Sequence, residues 1–158
     1  MKRAFLRCFG RRLGAFALAA GLAMVFAPAT PTQAEIEPKY YREWQDKAPD
    51  VLTIRVGAVK PVVTTNRHRA GDALLIQTRV EAEATVETVE RSASGLKPGD
   101  TIRIQYVTTR SEPPMAGPRP IPVLKRGETV PAFLLAVSKG LYAPAAKGAS
   151  FEPLIKLQ

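Results

Sequence analysis

Cysteine, histidine, methionine and tryptophan are nearly absent from this chain: 158 residues hold one Cys, one His, three Met and one Trp. With Cys8 alone, no disulfide can form within the chain, so the fold rests on buried apolar surface. The single histidine, His68, is flanked by Arg67 and Arg69, whose charge opposes a metal cation. Met115 is the only methionine beyond residue 24, which excludes a copper-trafficking Met/His cluster. No Gly-x-Ser-x-Gly elbow surrounds Ser92, Ser94, Ser111, Ser138 or Ser150, and His68 would have to serve as sole base. No glycine-rich phosphate loop and no Asp-rich calcium loop occurs. The expectation is a protein that is not an enzyme and uses no cofactor and no metal; a hydrolase working through His68 is the remote alternative.

Acidic residues are also missing from the first 34 positions. Lys2, Arg3, Arg7, Arg11 and Arg12 precede an uncharged stretch, Leu13 to Ala27, and Thr32-Gln33-Ala34 offers small residues ahead of Glu35. That order is the n-region, h-region and cleavage site of a signal peptide over residues 1–34, cut after Ala34. The 15-residue apolar run is shorter than the roughly 20 needed to span a bilayer core. No transmembrane span is therefore expected after cleavage, and the mature protein is expected in the periplasm or secreted. Arg11-Arg12 leaves twin-arginine export open, but Leu13-Gly14-Ala15-Phe16 fits an ordinary Sec leader better.

Five of the 23 basic residues leave with that leader, so 18 remain against 14 acidic, a net of +4 over 124 residues. That balance excludes a dedicated nucleic-acid binder. A chain of this size buries roughly two-thirds of its unfolded surface and forms one domain.

Pro38 and Pro49 punctuate a short helix within residues 35–50, in which Tyr40, Tyr41 and Trp44 share one side. From Val51 the period becomes two: Leu52, Ile54 and Val56 alternate with Thr53 and Arg55, toward Val63. Thr64 to Asp72 reads as a polar loop. Leu74, Ile76, Thr78, Val80, Ala82, Ala84 and Val86 hold one parity over a long strand, Ala73 to Arg91. Val89 breaks the parity, which implies a bulge near Glu87 or Thr88. Ala82, Val86, Val89 and Ala93 also fit a helix face, but valine and threonine content favours a strand. Leu96-Lys97-Pro98-Gly99-Asp100 is a type II turn, followed by a strand from Thr101 to Thr108. Five prolines between Ser111 and Pro122 make a stiff strap. Lys125-Arg126-Gly127-Glu128 is a further turn, Thr129 to Val137 a strand, Leu141 to Gly148 a loop, and Ser150 to Leu157 a last short strand.

A straight strand of about 19 residues would stretch roughly 60 Å, too long for this domain unless it coils. The expected fold is therefore mainly β: a small five- to six-stranded antiparallel barrel over residues 51–158 with one short N-terminal helix. Val80 to Arg91, then Ser94-Gly95-Leu96-Lys97-Pro98-Gly99-Asp100-Thr101-Ile102-Arg103-Ile104, and Gly127-Glu128-Thr129 running into Phe133-Leu134, carry a resemblance. The chain resembles the OB-type small β-barrel superfold and, more loosely, the netrin/TIMP-like barrels, without their framework cysteines. The resemblance implies a fold and transfers no site residue.

Two surfaces stand out. Tyr40, Tyr41 and Trp44 form either a lid on the barrel or a docking side for a protein. Arg110, Arg119, Lys125 and Arg126 bracket the strap and form either a basic rim or ordinary solubilising charge. Glu81, Glu83 and Glu87 share a strand face with Glu90 close by, and a solvated face accounts for them better than calcium does. The functional expectation is a non-catalytic periplasmic binding protein with a protein partner or an anionic or glycan ligand. The alternative is an envelope-associated accessory subunit docking through the aromatic helix.

Overall fold

The computed structural model describes residues 36–62, 68–70 and 73–157, with the backbone alone for 61–62, 68–70 and 73. Residues 1–35, 63–67, 71–72 and 158 lie outside the described residues, and with them the leader, most of the loop expected over Thr64–Asp72 and its expected Gly71-Asp72 turn. The helix α1 is Pro38–Lys47, with Pro38 in the first turn, where a missing N–H costs nothing. Six strands follow: β1 Asp50–Val62, β2 His68–Ala70, β3 Ala73–Ser92, β4 Thr101–Glu112, β5 Thr129–Ser138 and β6 Leu141–Pro144. A single 3-10 turn, Lys147–Ala149, comes after them. Among the described residues the chain is mainly β, with one sheet and one short helix, and no helix is long and apolar enough to cross a membrane.

The alternation from Leu74 to Val86 does form a strand, and β3 runs for 20 residues. Val80, Ala82, Ala84 and Val86 are buried with Leu52, Ile54 and Val56 of β1, Ile102, Ile104 and Tyr106 of β4, and Leu134 of β5. Each fully buried large aliphatic side chain contributes roughly 1.5–3 kcal/mol of transfer free energy. The helical spacing of Ala82, Val86, Val89 and Ala93 is overruled by this pairing. The parity break is a bulge: Thr53 pairs with Thr88 and Ile54 with Val86, leaving Glu87 extra on β3. A second one leaves Glu90 extra, between Leu52↔Val89 and Val51↔Arg91. Both lie beyond Thr85, where β3 has left β4 and pairs with β1 alone.

β1 pairs with β3 and β5, β3 with β2 and β4, and β6 with both β4 and β5. All of these are antiparallel except β4–β6, which is parallel through Arg103↔Leu141 and Ile104↔Tyr142. The strands are thus mostly antiparallel, as the sequence pattern suggests, with this one parallel pair as the exception. The Lys139-Gly140 hairpin reverses β5 into β6, and β6 then runs alongside β4.

Two loop assignments and one strand assignment change. β2 lies within the loop expected over Thr64–Asp72: His68, Arg69 and Ala70 pair antiparallel with Leu75, Leu74 and Ala73 of β3. β6 occupies the start of the loop expected over Leu141–Gly148, its pattern hidden by Ala143 and Pro144. Ser150 to Leu157 is not a strand. Pro153 removes a donor there, and a helix side chain, Gln45, binds the backbone instead.

Two turns share one design. In Lys97-Pro98-Gly99-Asp100, Gly99 has φ +93°, Asp100 N–H donates to Lys97 O (3.1 Å), and the Asp100 carboxylate accepts from Lys97 N–H (2.8 Å). In Lys125-Arg126-Gly127-Glu128, Gly127 has φ +85° and the Glu128 carboxylate accepts from Lys125 N–H (2.6 Å). Two tyrosines hold the strap between β4 and β5, both in its later part, at Arg119 and at Pro122 to Leu124. Tyr106 Oη donates to Pro122 O (2.7 Å) and accepts from Leu124 N–H (3.2 Å), while Tyr41 Oη accepts from Arg119 N–H (2.6 Å).

Candidate functional site

The aromatic side of α1 is divided. Tyr41 is completely buried, its ring under the Arg119 guanidinium (4.5 Å) and edge-on to Trp44 (5.4 Å). Trp44 is half-buried against Ala48, Val51, Phe133 and Ala146. Only Tyr40 projects, 44% exposed, with the Lys39 ammonium 5.1 Å from its ring centre. Tyr41 and most of Trp44 thus hold α1 to the body of the protein, which makes the helix a lid and leaves Tyr40 as its outward aromatic.

The basic residues around the strap do not act as a set. Arg110 donates to Glu112 (2.7 Å) at the end of β4. Arg119 reaches Glu152 (3.0 Å) as well as stacking on Tyr41. Lys125 and Arg126 sit exposed in the turn before β5. Arg110 and Arg119 do line one open trough with Leu75, Met115 and the strap prolines. The side chain of His68 lies outside the described residues. Glu87 is held by Arg55 (2.8 Å), and among the described residues no group of three or more His, Cys, Asp or Glu side chains is placed to hold a metal ion.

A second depression, of about 340 Å³, is built from four strands: Ala58 and Lys60 of β1, Glu81 and Glu83 of β3, Arg103 and Gln105 of β4, and Leu141 of β6. Its size matches the small end of the ligand-site range, roughly 300–1,000 Å³. The opening originates in β1. Val56 pairs with Ala84 and Val59 with Ala82, so Gly57 and Ala58 together oppose Glu83. That is a bulge made of two small, exposed residues, and nothing bulky stands over Glu83. Alternation then sends Glu81, Glu83, Arg103 and Gln105 outward while Ala82, Ala84, Ile102 and Ile104 point to the core.

The register orders the charges. Lys60 opposes Glu81, Glu81 opposes Gln105, and Glu83 opposes Arg103. Gln105 Nε2 donates to Glu81 Oε1 (3.0 Å). The groove therefore presents both signs of charge side by side, with Ala58 and Leu141 as its apolar parts.

Sequence reasoning weighed Glu81 and Glu83 as a solvated strand face against a calcium site, favoured the former, and missed Lys60, Arg103 and Gln105. The available signal was Gly57 inside a strand pattern, which marks a bulge or a close approach. None of the family models, curated proteins or solved structures compared with this chain matches it.

Proposed function

We propose that this chain is an exported, non-catalytic periplasmic protein that folds as an OB-type barrel and binds a ligand in the groove opposite the Gly57-Ala58 bulge. The closed circuit of pairings, β1 to β3, β4, β6, β5 and back to β1, supports the barrel reading. OB-type barrels bind on the face of their second and third strands, which correspond here to β3 and β4 once the three-residue β2 is set aside. The observation that carries the reading is the bulge itself. It clears space above a charged strand face that would otherwise be flat.

Export follows from the basic start, apolar stretch and small residues before Glu35. Cleavage after Ala34 gives a secreted form that begins at Glu35, which intact-mass measurement of periplasmic protein checks. The docking alternative through α1 has less support, because Tyr41 is already used within the chain. The ligand face is tested by adding the low-molecular-mass fraction of periplasmic extract to the isotopically labelled secreted form. Amide shifts should cluster at residues 57–60, 81–83 and 103–105, and Ala58→Trp should abolish them while leaving the fold intact. Shifts located elsewhere, or undiminished in Ala58→Trp, would refute this site.

A further inference from the structure

Glu83 and Arg103 stand opposite each other on β3 and β4, both exposed, yet they do not engage. Among the described residues no ion pair or hydrogen bond uses either side chain, and the same holds for Lys60. All three line the groove at the bulge. Directly opposed residues of antiparallel strands have Cβ atoms about 4.5–5.5 Å apart. An exposed pair at that spacing gains at most roughly 1 kcal/mol by closing on itself, so a ligand that brings its own opposite charges displaces little.

We propose that the groove takes a small zwitterion, an α-amino acid with an aliphatic side chain, and this rests on the groove being the ligand site. The ammonium lies on Glu83 and the carboxylate on Arg103, with Lys60 adding to the positive field. The side chain lies against Ala58 and Leu141. Three features favour this class over others. Glu81 and Glu83 repel a polyanion. No aromatic side chain lines the groove to stack on a sugar ring. A segment in the middle of a polypeptide brings no paired charge at one carbon, whereas an α-amino acid does.

The test titrates the labelled secreted form with L-leucine, N-acetyl-L-leucine and L-leucinamide, following the amides of residues 57–60, 81–83 and 103–105. L-Leucine should bind, and each blocked derivative should bind about tenfold more weakly, the loss of one charged hydrogen bond. Glu83→Gln should weaken L-leucine about tenfold and leave N-acetyl-L-leucine unchanged. Arg103→Gln should weaken L-leucine and N-acetyl-L-leucine and leave L-leucinamide unchanged. Equal binding of all three compounds, or no response to L-leucine, overturns the zwitterion. If the periplasmic fraction still shifts these amides when L-leucine does not, the ligand class is wrong and the groove stands. If neither shifts them, the groove is wrong as well.

Discussion

Gln45 holds Ile155 across 110 positions of sequence: the Ile155 N–H donates to Gln45 Oε1 at 2.9 Å. The same carboxamide donates through Nε2 to Ala149 O (3.0 Å) and, at 3.3 Å each, to Glu152 O and Pro153 O. One completely buried side chain on α1 thus replaces the strand partner that the C-terminal segment lacks. Gln45→Leu keeps the volume and removes every one of these bonds. Buried groups left without partners cost roughly 1–3 kcal/mol in total stability. Urea unfolding should show that loss, and amide exchange at Ile155 should accelerate while β3 stays protected. An unchanged midpoint would mean that water replaces the carboxamide without cost.

Tyr40 and Tyr41 are neighbours with opposite roles, so their alanine variants should separate. Tyr41→Ala empties a closed site beneath Arg119 and removes the acceptor for Arg119 N–H. Aromatic-to-alanine changes in a core cost about 3–5 kcal/mol. Tyr40→Ala, on the outer side, should stay within about 0.5 kcal/mol of the parent. Thermal unfolding of the two single variants measures both. Equal small losses would show that α1 is not held by Tyr41.

How much of this could be read beforehand depended on whether the signal was local. The side-chain parity from Leu74 to Val86 carried β3, and the misplaced Val89 marked the bulge at Glu87, because both are features of a single strand. Pro98-Gly99 and Gly127 marked turns for the same reason: a positive φ demands glycine locally. The groove gave no such local mark. Lys60, Glu83, Arg103 and Leu141 come from four strands, and only the pairing register brings them together. Arg119 misled in the opposite direction. Its charge read as surface, yet its guanidinium covers a buried tyrosine and meets Glu152.

Gly148 packs tightly against the strap at Arg119. A Cβ placed there would lie 2.5 Å from Arg119 O and 2.7 Å from Arg119 Cβ. The backbone of Arg119 is itself fixed by Tyr41, so the strap cannot retreat without breaking that bond. Gly148→Ala should therefore destabilise by about 1–3 kcal/mol, the usual range for overpacking. Chemical denaturation of the variant checks this, and the double variant with Tyr41→Phe should lose less than the sum of the two single changes. Additive losses would show that the two contacts are independent.

Tyr106 makes the stability of the fold sensitive to high pH. Burial pushes its phenol up to about 12, partly offset by the hydrogen bond from Leu124 N–H and reinforced by the nearby Glu128 carboxylate. In the unfolded chain the same phenol ionises near its ordinary value, about 10. The folded state thus binds the proton more tightly. Its contribution is complete below about pH 10 and declines as pH rises from about 10 through about 12. Ionisation also removes the donor to Pro122 O, so the strap loosens in that same window. Tyr106→Phe should lower stability at neutral pH by roughly 1–3 kcal/mol, since Pro122 O and Leu124 N–H lose their partner. It should also flatten the decline between about pH 10 and 12, which unfolding midpoints across that range measure. A variant that loses stability with the same alkaline slope as the parent would assign the slope to another group.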